Sequence, residues 1–352
     1  MPQIGICVKN LTSGGAEKQA VLLANTLVPE HSVAFIIVNG EKVHEKYLKM
    51  LSPEVKVVRF VGSRRTRCKL YHEYVKAESL DIIFSYLTAA NYYSMRAARG
   101  TATKVVTGIR NSKLPLMKHI ADALMNRWGV VASVSNCESG KRHFAKTGFK
   151  GGKIECIPNC FDPIEEYKKP PERDFVNVIT VGRFVAQKDY YTAIKSMSRA
   201  SSEFILLRFT IIGYGELEDK LRNWVKEEGI EDITTILINS NQIAQELSNA
   251  DIYLSTSLFE GLSNSIMEGM NADLPIVATA VGDNDKLVKA EVNGYITSTG
   301  DYKSIAKYIV RLANDSELRQ QMGLKSKELL KANFTKELFA QRYNELITKL
   351  LG

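Results

Sequence analysis

The stretch LFEGLSNSIMEGMNADLPIV, residues 258–277, decides how this chain reads. Glu260 and Glu268 stand eight positions apart in it, and between them lies a run of small and polar residues, Gly261, Ser263, Asn264 and Ser265. Eight residues make just over two helical turns, so one long helix could carry both carboxylates on one face. Gly261 and the polar run argue against a helix that begins at Glu260. Ser263 or Asn264 is instead the expected N-cap, and Ile266, Met267 and Met270 supply the buried stripe of the helix that follows. A strand, DIYLSTS, precedes the whole stretch. Glu260 then sits in a strand-to-helix loop and Glu268 about one turn into the helix. The unpaired N–H groups near Ser265 would face the same cleft and could hold phosphate oxygens. The alternative is a polar loop with two solvated acids, or a Glu268 that merely neutralises the helix N-terminus.

Working outward, the same unit of short apolar strand and amphipathic helix repeats along the chain. The first half offers the strands IGICVK, SVAFIIVN, VKVVRF, DIIFSYL, KVVTGI, VVASVS and KIECIPN, with helices at EKQAVLLANTLV and around Tyr71–Ser79. The second half offers VNVITVGR, FTIIGYG, ITTILI, DIYLST, PIVATA and GYI, with helices at YYTAIKSMSRA and ELEDKLRNWVKEEG. Short apolar strands alternating with helices imply an α/β fold of parallel sheets covered on both faces. The restart in the second half implies two Rossmann-like, doubly wound domains.

The boundary falls in FDPIEEYKKPPERDFVN, rich in proline and charge, with a linker near residues 162–175. The domains expected are residues 1–164 and 165–334. A last helix within 335–352, KELFAQRYNELITKLL, carries Leu338, Phe339, Tyr343, Leu346, Ile347 and Leu350 on one stripe. Periodicity leaves open whether it packs on its own domain or back on the first.

With 352 residues, 45% hydrophobic and 24% charged, the composition is that of a globular chain with room for two domains. No run approaches the length of a membrane-spanning helix, and MPQIGICVKN lacks the pattern of a signal peptide. Cys7, Cys68, Cys137, Cys156 and Cys160 form no CxxC pair and no ligand cluster, which suits incidental thiols in a reduced, cytoplasmic setting. The net charge of +8 is unevenly placed: residues 1–167 hold 24 Lys+Arg against 14 Asp+Glu, and the remainder 23 against 25. A basic half calls for an anionic partner.

Ligands of doubly wound domains bind in the loops beyond the carboxyl ends of the strands. In NLTSGGAEKQ, Gly14 and Gly15 let the backbone turn tightly before a helix whose free N–H groups point outward. This is not GxGxxG, and a bare Gly-Gly serves equally as a plain turn. In VGRFVAQKDYYTAI, Arg183 and Lys188 follow Gly182 five positions apart and could both reach one diphosphate. The alternative there is two solvated loop charges.

At this point the chain resembles a known family. EGLSNSIMEGM with NADLPIVATAVG is similar to the E-x7-E region of the retaining glycosyltransferases of family 4, which have the GT-B fold of two domains facing a central cleft. GGAE, IPNCFDP, VGRFVAQKD, IIGYGELEDKL and VNGYI resemble further pieces of that family, in the family's order. The resemblance implies that Glu268 accepts hydrogen bonds from the ribose of a nucleotide-sugar and that Glu260 contacts the transferred sugar. It implies that Arg183 and Lys188 neutralise the leaving diphosphate. Gly14 and Gly15 would approach the same phosphates from the first domain, while Gly213, Gly261, Leu262, Ser263, Asn264 and Ser265 complete the donor site. Family members commonly work without a bound metal, so no metal or other cofactor is expected. A front-face attack with retention needs no carboxylate nucleophile, so Glu260 is not assigned that role.

Three departures stand out. Many relatives have a histidine after the fifth strand, where this chain has Arg110 and then Asn111, so these two become candidate sugar or acceptor contacts. After VATAVG the chain reads Gly282-Asp283-Asn284-Asp285-Lys286, without the usual second glycine and glutamate, and GMNADLP lacks the usual small residue and glycine. In this fold the first domain usually binds the acceptor. SRRTRCK at 63–69, with Lys113, Lys118 and Arg127 around Met117, Leu124 and Trp128, suits an anionic membrane surface or a polyprenyl-linked acceptor. The bland alternative is a solvated basic face, and no nucleic-acid-binding motif accompanies the charge.

The expectation is therefore a metal-independent, retaining glycosyltransferase, cytoplasmic and peripheral at the inner membrane face. It would move a sugar from a nucleotide-sugar, a UDP-sugar before GDP-mannose, to a lipid-linked glycan of surface polysaccharide or glycoprotein. The rivals are a nucleotide-sugar epimerase of similar architecture and a catalytically silent nucleotide-sugar-binding subunit.

Overall fold

A computed structural model describes residues 1–12, 14–161, 173–240 and 242–352. The chain divides into two compact units, Met1–Asp162 with Phe334–Gly352, and Pro163–Asn333. Most of the linker stretch, 162–172, lies outside the described residues.

The first unit holds β1 (Gln3–Val8), α1 (Gly15–Leu27), β2 (Ser32–Ile37), α2 (Glu45–Lys49), β3 (Lys56–Arg59), α3 (Arg64–Ala77), β4 (Ile82–Tyr86) and α4 (Leu87–Ala97). It continues with β5 (Lys104–Ile109), α5 (Leu116–Leu124), a π-helical turn (Met125–Gly129), β6 (Ala132–Ser135), α6 (Glu138–Lys146) and β7 (Ile154–Cys156). The seven strands form one parallel sheet in the order β3-β2-β1-β4-β5-β6-β7.

Its inner strands β1, β2, β4 and β5 are largely apolar because both faces are buried, whereas the edge strand β3 carries Lys56 and Arg59 and is mostly exposed. Successive side chains alternate faces. Ile4, Ile6, Val8, Phe35, Ile37 and Phe84 join one core with Leu23 and Leu27 of α1. Cys7, Ile36 and Ile83 join the other with Tyr71 and Val75 of α3 and Ala90 and Tyr93 of α4.

The second unit holds β8 (Val176–Arg183), α7 (Tyr190–Glu203), β9 (Leu207–Tyr214), α8 (Glu218–Glu227), β10 (Thr234–Ile238), α9 (Ile243–Ser248) and β11 (Ile252–Ser255). Then come α10 (Asn264–Asn271), β12 (Ile276–Thr279), α11 (Asn284–Leu287), β13 (Gly294–Thr297), α12 (Tyr302–Asn314) and α13 (Ser316–Asn333). Its six strands are parallel in the order β10-β9-β8-β11-β12-β13. Val178, Phe209, Ile211 and Leu254 face α7, α8 and α12 through Ile194, Met197, Leu221 and Ile309.

Every strand expected from the sequence is present, and both sheets are doubly wound. The final helix, α14 (Lys336–Leu351), belongs to the first unit: Phe339, Tyr343, Leu346 and Ile347 enter the core beside α1. One helix differs from expectation. α3 begins at Arg64 rather than near Tyr71, capped by the Ser63 hydroxyl, which accepts the Thr66 N–H at 3.2 Å. Its first two turns are basic and carry no apolar period, so periodicity could not find them.

In both sheets the strand order reverses between the first and fourth strands, where loops leave toward opposite faces and open a crevice. In the second unit β11 pairs with β8 only through Ile252–Val178 and Tyr253–Ile179. Beyond Ile179, β8 runs on along β9 to Arg183, and the two loops of interest start there.

Candidate active site

The loop after β8 is short and anchored. Phe184 is fully buried and meets the Tyr190 ring edge-on with centroids 5.2 Å apart. A single 3-10 turn, Ala186–Lys188, follows. Asp189, at φ 45° and ψ 54°, then caps α7. Its carboxylate accepts the Thr192 hydroxyl at 2.6 Å.

The loop after β11 is tied to this one at several points. The Leu258 N–H donates to the Gln187 carbonyl at 2.8 Å, and the Gln187 side-chain amide donates to the Phe259 carbonyl at 2.8 Å. The Thr256 hydroxyl donates to the carbonyls of Lys188 and Asp189 at 3.0 and 2.9 Å. Inside this frame the Lys188 ammonium meets Glu260 Oε1 at 2.6 Å, and the buried Ser257 hydroxyl donates to the same oxygen at 2.8 Å. The Lys188 and Glu260 side chains are only 17% and 10% exposed, so this pair is stronger than a solvated one.

Glu260 is also held from its backbone side. Gly282 has φ +60°, and a Cβ there would lie 2.5 Å from the Glu260 carbonyl oxygen. The Asp283 N–H donates to the Gly261 carbonyl at 3.0 Å. Glycine is required at 282 because only it combines this backbone with so close an approach.

Ser263 is the N-cap of α10, and its hydroxyl accepts the Ile266 N–H at 3.4 Å and lies 3.2 Å from that of Ser265. Leu262 is buried, and Asn264 and Ser265 are half-buried at the start of the helix, whose N–H groups carry the positive end of its dipole. Glu268 lies half-buried on α10, just over one turn in.

Tyr253 on β11 underlies this turn. Burial pushes its phenol far above the ordinary range, and the Glu268 and Glu260 carboxylates push the same way against a hydrogen bond with Ser265. Its hydroxyl donates to the Val181 carbonyl at 3.4 Å. Its ring packs on Gly269, where a Cβ would sit 2.6 Å from ring carbons. Tyr190 is likewise raised, by burial first and then by Tyr253 and Glu260.

Arg183 ends β8 with an exposed side chain that has no hydrogen bond or ion pair among the described residues. Gly213 pairs with Gly182 across β8 and β9, and a Cβ there would overlap the Gly182 carbonyl oxygen. The second unit thus gathers Arg183, Lys188, Glu260, Ser263, Ser265 and Glu268 around one switch point. Two cations, two carboxylates and a helix N-terminus can hold a ligand that is part polyol and part diphosphate. Gln187, Ser257, Thr256 and Tyr253 support the site from positions that carry no motif of their own. Gln187, Thr256 and Tyr253 act through partners on another strand or loop and Ser257 through Glu260 three residues on, and no local sequence pattern marks any of them.

The first unit treats its candidates differently. Gly14 caps α1 in an extended conformation, and Glu17 lies so close that a Cβ on Gly14 would overlap its carboxylate. The open N-terminus expected there is therefore shared with the chain's own acid. Ser13 lies outside the described residues. Gln19, buried beneath, donates to the Cys160 carbonyl at 2.7 Å and accepts its N–H at 3.1 Å, pinning the IPNC segment to α1.

Arg110 is engaged within the unit. Its guanidinium stacks 4.1 Å from the Tyr86 ring centroid and donates to the Tyr343 hydroxyl at 3.2 Å and to Asn159 at 3.4 Å. It clamps α14 to the ends of β4 and β5. Asn111 follows, half-buried. Among the described residues no group of three His, Cys, Asp or Glu side chains could hold a metal ion, and all five cysteines are free thiols.

Two doubly wound parallel units, the second with this crevice at its switch point, make the GT-B fold. The comparisons agree: residues 163–329 match the family Glycosyl transferases group 1. A Haemophilus influenzae protein described as an uncharacterized glycosyltransferase is 25% identical over 346 residues, covering 93% of this chain and 95% of its own. The Campylobacter jejuni N-acetylgalactosamine-N,N'-diacetylbacillosaminyl-diphospho-undecaprenol 4-alpha-N-acetylgalactosaminyltransferase is 23% identical over 357 residues, covering 94% and 96%. The crystal structure of Anabaena HepE in complex with UDP superposes with a TM-score of 0.84 at 18% identity, over 99% of this chain and 100% of that one. The chain is also similar to the putative Escherichia coli colanic acid biosynthesis glycosyltransferase WcaL, 21% identical over 278 residues, covering 75% of this chain and 68% of that one.

Proposed function

We propose that this enzyme moves a sugar from a UDP-sugar, with retention of configuration, to a lipid-linked glycan at the cytoplasmic face of a membrane. The observation that carries the reading is the half-buried Lys188–Glu260 pair at 2.6 Å, set between Arg183 and the N-terminus of α10. A donor laid in this crevice takes Lys188 and Arg183 on its diphosphate, whose charge grows as the glycosidic bond breaks. The α10 N–H groups assist the same oxygens, so protein cations supply the charge and no metal is required. Glu260 turns to hydroxyls of the transferred sugar, and Glu268 to the ribose. The acceptor attacks from the leaving-group side and the departing phosphate takes its proton, which leaves Glu260 free of a nucleophile's role.

UDP is favoured because HepE, similar in fold, was crystallised with it. A lipid-linked acceptor is favoured because the Campylobacter relative's name specifies a diphospho-undecaprenol substrate. The first unit supports a membrane setting through α5. That helix is inverted: its buried face carries Asp122 and Ala123, while Leu116, Met117, Ile120 and Leu124 are 72, 77, 44 and 49% exposed. Lys113, Lys118 and Arg127 are exposed around it, the arrangement of an interfacial helix at an anionic surface. Among the described residues no helix is long and apolar enough to cross a membrane.

The test is a panel of UDP- and GDP-sugars with a polyprenyl-diphosphate-linked glycan, followed by NMR of donor and product. Nucleoside diphosphate release that depends on acceptor, with the donor's anomeric configuration kept in the product, is the expected result. An isomerised donor without release would make the chain an epimerase, and binding without either reaction a silent subunit.

A further inference from the structure

Five cations of the first unit, three on α3, one on α4 and one just past its end, lie outside the candidate site described above. Arg64, Arg65 and Lys69 face Arg96 and Arg99 across a cavity of about 690 Å³. Tyr92 lies among them, its ring centroid 5.6 Å from the Arg64 guanidinium and 5.8 Å from that of Arg96. Its hydroxyl accepts from Arg96 at 3.1 Å. Among the described residues none of these four arginines has a carboxylate within ion-pair distance, and Lys69 has only the exposed Glu73 at 3.7 Å. Cations gathered without counter-charge repel one another, and an anion in the cavity relieves that repulsion.

Tyr92, Arg96 and Arg99 also line an adjoining cavity of about 670 Å³. Its other walls include Met95, Val105, Val131 and Trp128, and Trp128 is 75% exposed. The two cavities share those three side chains and form one trough, cationic at one end and apolar at the other. Trp128 also extends the outward apolar stripe of α5.

We infer that this trough takes the phosphate headgroup of an anionic glycerophospholipid in a bilayer, with Trp128 at the acyl boundary. The inference rests on the membrane part of the proposed function and deepens it by naming the lipid and the residues that select it. Free phosphate would use only the cationic half. A second copy docked two-fold on this face would press two arginine sets together. An anionic bilayer meets both halves at once, phosphates on the arginines and hydrocarbon on the tryptophan.

Sedimentation of the full chain with vesicles tests this, using phosphatidylcholine alone and phosphatidylcholine mixed with phosphatidylglycerol. Wild type should favour the anionic vesicles. Arg64→Gln with Arg96→Gln should weaken that binding roughly thirtyfold, since each cation near an anionic surface contributes about a fivefold factor. Binding to neutral vesicles and the Tm should not fall, because the charges removed are uncompensated. Equal binding of wild type and this variant to anionic vesicles overturns the inference. So does displacement from vesicles by micromolar inorganic pyrophosphate or a short-chain prenyl diphosphate, which would mark a soluble-phosphate or acceptor site. Met117→Ser with Leu124→Ser separates the two readings. If it abolishes vesicle binding while the arginine variant does not, the membrane reading stands and the trough inference falls. A wild type that binds neither vesicle overturns both.

Discussion

Glu260 is fixed by three neighbours from different parts of the second unit: Lys188, Ser257 and the Gly282 backbone. A hydrogen bond to a charged group contributes about 1.5–3 kcal/mol. Ser257→Ala should therefore cost about tenfold or more in kcat/KM for the donor, and Ser257→Thr should recover most of it. Equal kinetics for wild type and Ser257→Ala would show that Glu260 needs no such support. At Gly269 a methyl group would enter the Tyr253 ring, so Gly269→Ala should destabilise the second unit by about 1–3 kcal/mol, read as a lower denaturant midpoint. At this scale the sequence narrows the cap to Ser263 or Asn264 and shows the loop position of Glu260 and the helical position of Glu268. It could not show the Lys188–Glu260 pair, because 72 positions separate the two and only the β8–β11 adjacency joins them. The contact of Arg110 with Tyr343 is hidden for a related reason: the two lie 233 positions apart, Tyr343 being on the returning helix.

Element by element, the inner strands are legible because both faces of each sheet are buried, which makes them short apolar runs, while the edge strands β3 and β10 are more exposed and mixed. Helices whose apolar period is absent or reversed were harder. α3 begins in charged residues, and α5 points its apolar side outward and its acid inward. What holds α5 in that orientation is Asp122, whose carboxylate accepts the Thr88 hydroxyl at 2.6 Å and the Asn91 amide at 2.9 Å. Burial raises its pKa above the ordinary 3.8, against the lowering effect of those two hydrogen bonds. A native carboxyl with a raised pKa keeps its proton where the unfolded chain has lost it. Its contribution therefore favours the native state at low pH and is lost as pH rises from 3.8 through the raised native value. Asp122→Asn keeps both partners and removes the titration. Thermal unfolding should show its Tm gaining on wild type as pH climbs through that window. Asp122→Ala strands the buried Asn91 amide and the half-buried Thr88 hydroxyl and should cost about 2 kcal/mol at any pH. An Asn variant as unstable as the Ala variant would remove the reason given for the buried acid.

For the molecule as a whole, the chain builds its first unit, then the second, and returns to finish the first with α14. That helix buries Phe339, Tyr343, Leu346 and Ile347, each exposed by 5% or less. At about 1.5–3 kcal/mol for each buried side chain, the loss is comparable to the stability of a domain. A chain ending at residue 333 should lose the first unit to limited proteolysis while residues from the second resist. Survival of both would show that α14 is a minor contact.

Sugar transfer is proposed to take place in the β8–β11 crevice of the second unit. Acceptor-dependent release of UDP, measured side by side for wild type and Lys188→Ala, tests it most directly. Turnover is expected in the wild type only when acceptor is present, with a loss of about a hundredfold in kcat on removing the ammonium that would offset the leaving diphosphate. Release at the same rate by both proteins, or release indifferent to acceptor, would contradict it.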